Sequence, residues 1–348
     1  MNLKEKIDHY LGQIDSISET ILSQMKKGSS SWEMPWHKGI PEAWNPVTGK
    51  FYGGNNLLVL WNECLKNNYS TNHWATFKQW QRARSGSKVR KGEKGTLIMF
   101  AIPRAAFVRR EGERVEQLNF EFITEEEKEK AKKNFYFRYY WVFNVTQING
   151  YDIHQSSLFD ENTTDLDRLK KFVDKTEATI KSGGDRAFYS IVQDFIQMPE
   201  MARFKSYKGE VSQTLNYYST LLHEIIHWTG HKNRCKRQFG WKFGDNAYAF
   251  EELVAELGSA IITTQFNTIP IPRDDHAIYL NSWLKVLEND FSYFIEALEL
   301  ARTSVFWLYE KTNILPFDLK PHYGRTFSEK RVKEWENLIE YKSQKTDK

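Results

Sequence analysis

Hydrophobic positions recur at helical spacing from the start of the chain. Leu3, Ile7, Leu11, Ile14, Ile17, Ile21, Leu22 and Met25 share one side of a helix predicted over residues 2–27. The run GSSSWEMPWHKGIPEAWNPVTGKFYGGNN follows, rich in Gly, Pro, Ser and Trp, and predicts loop and turn. LLVLWNECLKNN reads as a second helix and HWATFKQWQRARS as a third, capped by Thr71 or Asn72. SKVRKGEKGTLIMFAIP reads as a hairpin, with GEKG as its turn and TLIMFAI as a buried strand. Residues 109–133 are charged and predict a solvated connection. FYFRYYWVFNVTQI then reads as a long aromatic strand, ended by Asn149-Gly150.

The pattern changes beyond a polar segment at 150–165. LDRLKKFVDKTEATI is helical, and GGDRAFYSIVQDFIQMPE reads as two short strands around a turn. This strand segment is a candidate edge for pinning an extended peptide by β-addition. VSQTLNYYSTLLHEIIH is a helix stopped by Gly230, and NAYAFEELVAELGSAIITTQF is another. The run from Asp274 to Tyr309 is helical as well. The expected fold is α+β in two domains: a mixed α/β domain over 1–155 and a mainly helical one over 160–340. The length agrees, since 348 residues exceed the ~100–200 of a usual single domain.

Composition narrows the class of protein. Cys64 and Cys235 are the only cysteines, too few for a disulfide framework, so a reducing cytoplasm is expected. The charged, amphipathic N-terminus does not read as a secretory signal, and no run of ~18 apolar residues predicts a membrane span. Net charge is only +4, but residues 1–110 hold 17 Lys/Arg against 8 Asp/Glu. That excess at one end points to a polyanionic partner.

The segment HEIIH carries the clearest chemistry. His223 and His227 are four residues apart, so both imidazoles lie on one face of a helix. That geometry suits two nitrogen ligands at ~2.0–2.1 Å from one zinc ion. Glu224 is one step round, where it reaches a water beside the metal and serves as general base. The third ligand of an extended three-His motif would fall at Asn233, and His231 comes two residues too early. The segment AFEELVAELG offers carboxylates instead. Glu252 and Glu256 are i,i+4 on one face, giving Glu252 as ligand and Glu256 as the group orienting a ligand His. Glu251 is expected ~100° away, towards the exposed side.

In the N-terminal part, rings alternate with cations. Trp36, Lys38 and Tyr52 in the loop, with Lys88, Arg90, Lys91 and Lys94 of SKVRKGEKG, are the candidate contacts to a single-stranded nucleic acid, DNA or RNA. Exposed rings stack on bases while cations follow the phosphates.

These blocks resemble the ArdC antirestriction family over almost the whole chain. The resemblance rests on PWHKG, NPVTGKFYGGNNLLVLW, WATFKQW, VRKGEKGTLIMF and YYWVFNVTQING, then on YYSTLLHEIIHWTGH, FGDNAYAFEELVAELG and DHAIYLNSWLKVLEND. It implies an N-terminal domain that binds single-stranded DNA and a zincin-like metallopeptidase domain after it, an arrangement similar to Spartan-type DNA-dependent proteases. The N-terminal domain also resembles that of some plasmid transfer primases. The implied cofactor is Zn2+, with Mn2+ or another divalent ion as alternatives. The implied partners are single-stranded DNA and a protein substrate or restriction enzyme, with mobile-element DNA protected from restriction. The competing reading is a non-enzymatic single-strand-binding or restriction-blocking protein with a structural zinc site.

Overall fold

Asn2 starts the first helix with a capping box, its side chain accepting from the Glu5 amide while Glu5 accepts from the Asn2 amide. The structure, a computed structural model, describes residues 1–27, 42–103, 109–110, 113–114, 135–151, 164–206, 212–237, 246–266 and 276–314. Helix α1 (Leu3–Lys26) buries Tyr10, Ile17, Ile21 and Met25. Strands β1 (Trp44–Asn45) and β2 (Lys50–Phe51) form a short ladder, followed by α2 (Asn55–Lys66). The third predicted helix begins later than expected. Trp74–Thr76 is strand β3, and the cap is Thr76, which forms a capping box with Gln79 at the head of α3 (Phe77–Ala83).

The expected hairpin does not form. β4 (Lys88–Val89) does not pair with β5 (Thr96–Pro103). After the two-residue pair β6 (Arg109–Arg110) and β7 (Glu113–Arg114), the chain enters β8 (Phe135–Asn144), which pairs antiparallel with β5 from Thr96↔Val142 to Pro103↔Phe135. β8 also pairs with β3, so it is the central strand of the order β3-β8-β5. β4 instead pairs with β9 (Ile148–Asn149). Gly150 secures that pairing: its φ is +72°, and a Cβ there would lie 2.7 Å from the Gly86 carbonyl oxygen. Register is therefore decided by a contact 64 residues away in sequence, which turn chemistry at GEKG cannot anticipate.

The C-terminal half is mainly helical. α4 (Asp165–Thr176) is capped by Thr164 and stops at Glu177, whose φ of 56° is left-handed. The helix predicted through Ile180 thus ends four residues early, and Ile180 opens β10 (Ile180–Ser182). With β11 (Phe188–Ser190) and β12 (Phe195–Met198) it makes a sheet of order β10-β12-β11. Then come α5 (Gln213–Thr229), α6 (Asn246–Gln265), α7 (His276–Asn289) and α8 (Ser292–Thr312). α5 packs on β11, β12 and α6, and α6 packs on α7 and α8.

One continuous apolar core joins residues from both halves of the chain. Phe51 meets Phe306 with ring centroids 5.5 Å apart. Glu42, with a fully buried side chain, accepts from Arg302 Nε at 2.7 Å, and the Gly54 amide donates to Glu299 at 2.6 Å. Burial pushes the Glu42 carboxyl above its usual range, and Arg302 offsets only part of that rise. No described helix is long and apolar enough to cross a membrane.

Candidate metal centre

α5 brings His223, Glu224 and His227 into the interior, at 1%, 3% and 8% exposure. Leu222, Ile225 and Ile226 are fully buried around them, which fixes the rotation of the helix. α6 approaches closely because residue 258 is glycine: a Cβ there would lie 2.8 Å from Ile226 Cδ1. That approach sets Glu252 against both imidazoles.

The donor atoms converge. His223 Nε2 and His227 Nε2 are 3.1 Å apart, and one of them carries the hydrogen between them. Glu252 Oε2 is 3.3 Å from His223 Nε2, and its Oε1 is 3.5 Å from His227 Nε2. Donors at ~2.1 Å from a tetrahedral ion stand ~3.4 Å from one another, so this donor set fits a first-row divalent metal. Among the described residues, His223, His227 and Glu252 are the group able to hold an ion. His231 lies beyond the helix end, where its Nδ1 accepts from the Asn233 amide at 3.3 Å.

The second nitrogens of both rings face carboxylates. His223 Nδ1 is 3.9 Å from Glu256 Oε2. His227 Nδ1–H donates to Glu251 Oε1 at 3.2 Å. Glu251 therefore corrects the sequence reading: it is 3% exposed and faces the site, not solvent. The reason is that adjacent residues of α6 straddle the His227 ring, Glu252 at Nε2 and Glu251 at Nδ1. Arg237 completes this side and was not anticipated. Its guanidinium holds Glu251 at 2.6 and 2.9 Å and donates to Ile226 O, Thr229 Oγ1 and Ser304 Oγ. The available signal was a third Glu beside the ligand in EELVAE; nothing local marks Arg237.

Electrostatics follow from this crowding. Burial opposes charge on His227, but Glu252, Glu251 and Glu224 outweigh it and raise its pKa to about 10. Burial would raise Glu252, yet the two imidazoles hold it well below the carboxylate range. Burial likewise opposes ionisation of Glu251, and Arg237 and His227 overcome it. Without metal, His227 is thus protonated at neutral pH, and an entering cation must displace that proton. Metal affinity should rise with pH, with release of about one proton per ion near pH 7. Calorimetry in buffers of different ionisation enthalpy measures this; a proton count of zero would contradict it.

The N-terminal candidates fare unevenly. Trp36 and Lys38 lie outside the described residues. Lys88, Arg90, Lys91 and Lys94 are exposed, but Arg90 is engaged by Glu93 at 2.5 Å and by Thr146 O. Tyr52 is a correction: it is 4% exposed, its hydroxyl donating to Trp74 O and accepting from Asn45. The turn that carries it folds back over β3, so its ring has no open face for a base.

Residues 13–143 match the family model described as the N-terminal domain of anti-restriction factor ArdC, and residues 167–299 match the zincin-like metallopeptidase model. The crystal structure of the antirestriction ArdC protein from plasmid R388 in its Mn(II)-bound form is 29% identical, covering 86% of this chain and 97% of its own, with a TM-score of 0.60. This chain belongs to the ArdC antirestriction family. The metal-free structure of the R388 protein superposes with a TM-score of 0.62 at 28% identity. Protein y4eC of Sinorhizobium fredii is 31% identical over 85% of this chain and 91% of its own length. The DNA primase TraC of Escherichia coli is 32% identical over 79% of this chain, which corresponds to 25% of the primase. Family membership and the donor set together make the site a divalent-metal site in a zincin-like domain.

Proposed function

We propose that this chain is an antirestriction protein that binds single-stranded DNA with its N-terminal half and hydrolyses a peptide bond in a protein held at that DNA. The observation that carries the peptidase reading is the convergence of His223, His227 and Glu252, with Glu224 buried next to His223 on the same helix. His223, His227 and Glu252 would hold the ion, zinc by the donor set, while Glu251 fixes the His227 ring through Nδ1 and Glu256, 3.9 Å from His223 Nδ1, would orient that ring. A divalent ion there supplies Lewis acidity and lowers the pKa of a water beside it. Glu224 would serve as the base for the attacking water, holding its proton for the leaving amine. Burial keeps bulk water away and strengthens each of these charge interactions. β11 is an edge of its sheet, and that sheet packs on α5, so an extended substrate segment can add to it as a further strand. The exposed cations Lys88, Lys91 and Lys94 support the DNA half of the reading, and the free thiols of Cys64 and Cys235 support a cytoplasmic setting.

The test is a protein substrate bound to single-stranded DNA, incubated with metal-loaded enzyme. Cleavage should require both the strand and the metal and stop on chelation. DNA affinity should fall steeply and linearly in log–log terms with salt. Absence of DNA binding at low salt ends the DNA half, and equal cleavage without DNA ends the coupling. DNA binding with no metal-dependent cleavage favours the non-enzymatic reading.

A further inference from the structure

β8 places an aromatic residue at every second position: Phe137, Tyr139, Trp141 and Phe143. Alternate residues of a strand point to the same face, so the four rings form a row. The row is open to solvent along much of its length. Phe137 is 52% and Trp141 37% exposed, while Tyr139 and Phe143 are half-buried. α1 touches the row through Tyr10, packed on Tyr139 at 6.1 Å, and His9, beside Trp141 at 5.8 Å. At the other end Phe143 meets Phe77 of α3 edge-on at 6.4 Å, and Phe77 is itself 45% exposed. Gly95 makes room there: a Cβ would press to 3.0 Å from the Phe143 ring.

That end of the row is basic. Lys78, Arg82, Lys88, Lys91 and Lys94 are exposed. Glu93 is the single acidic residue between Phe77 and Pro103, and it is taken up by Arg90 and by Gln147 at 3.0 Å. Exposed rings in a contiguous row mark an interaction surface. Their company of uncompensated cations selects a partner with flat apolar faces on an anionic chain. The spacing agrees. Alternate side chains on an antiparallel strand stand ~6.8 Å apart, twice the ~3.4 Å between stacked nucleotides. One base therefore fits between neighbouring rings.

We propose that Phe137, Trp141 and Phe143 of β8, continued by Phe77, form the base-stacking platform for single-stranded nucleic acid, with the strand's phosphates led over Lys88, Lys91 and Lys94. This rests on the DNA-binding reading above, and it moves the stacking role from Tyr52 to a different element.

The experiment is fluorescence anisotropy of a labelled oligo-dT with the full-length protein. Phe137→Ala and Trp141→Ala should each weaken binding roughly 5- to 150-fold, with the salt slope unchanged because no phosphate contact is lost. Trp141→Phe, which keeps a ring, should recover most of the affinity. Tyr293→Ala, an exposed ring on α8, should bind as wild type. An abasic oligonucleotide of equal length should bind wild type and Trp141→Ala alike. If wild type binds no oligo-dT, the underlying DNA reading fails. If wild type binds and both alanine variants match it, the platform is overturned while DNA binding stands. If the variants change sedimentation of the protein alone and not its DNA affinity, the row is an interface between copies of the chain and the proposal is likewise overturned.

Discussion

Glu224→Gln is expected to leave the protein folded and metal-loaded while slowing peptide hydrolysis by ~10²–10⁴-fold. The substitution keeps the size of the side chain and its place on α5, 3% exposed beside His223. It removes only the ability to accept a proton. The ligand atoms of His223, His227 and Glu252 are untouched, so metal affinity should change little. Loss of hydrolysis with retained metal, measured by elemental analysis alongside turnover, separates a base from a ligand. Hydrolysis at the wild-type rate would remove Glu224 from the mechanism. Antirestriction that persists in the variant would show that protection runs through DNA binding instead.

Arg237→Met should be the most destabilising single change near the site, by about 3–5 kcal/mol. The Arg237 side chain is 3% exposed and is the counter-charge of Glu251, which is 4% exposed. Methionine fills similar space but leaves Glu251 charged and buried without its guanidinium, and removes one of the donors to the Ile226 carbonyl. The same change loosens the carboxylate that orients His227, so metal affinity should drop about 10- to 100-fold. Arg237→Lys keeps the charge but not the planar fork that holds two carboxylate oxygens, and should fall between the two. Denaturant midpoints and competition with a chelating dye report the two effects separately. A stability loss below ~0.5 kcal/mol would show that Glu251 finds another partner.

Both predictions turn on residues that were unequally visible. His223, Glu224 and His227 are legible because their relation is local: four residues of helix bring two rings to one face whatever surrounds them. Glu252 was legible by composition, as a carboxylate pair on an apolar helix. Glu251 was misjudged because the wheel of α6 alone places it outward, whereas the ring of His227 reaches between it and Glu252. Arg237 carried no signal, since it follows the helix end and meets its partner only through the packing of α5, α6 and α8. In the N-terminal half, the aromatic strand was read correctly. The hairpin expected of SKVRKGEKGTLIMFAIP is not formed, because its strand pairs with the aromatic one instead, and Tyr52 is a buried hydroxyl where a loop ring was expected.

The sequence by itself determined the periodic elements, the α+β division, the family and the HEIIH pair, because each depends on neighbours a few residues apart. Only the tertiary structure decided the rest: that β5 pairs with β8, that Gly258 lets α6 close on α5, and that Arg237 backs the carboxylate behind His227. These are contacts between segments distant in sequence. They are fixed by close packing and by the need to partner buried charge, which no local pattern records.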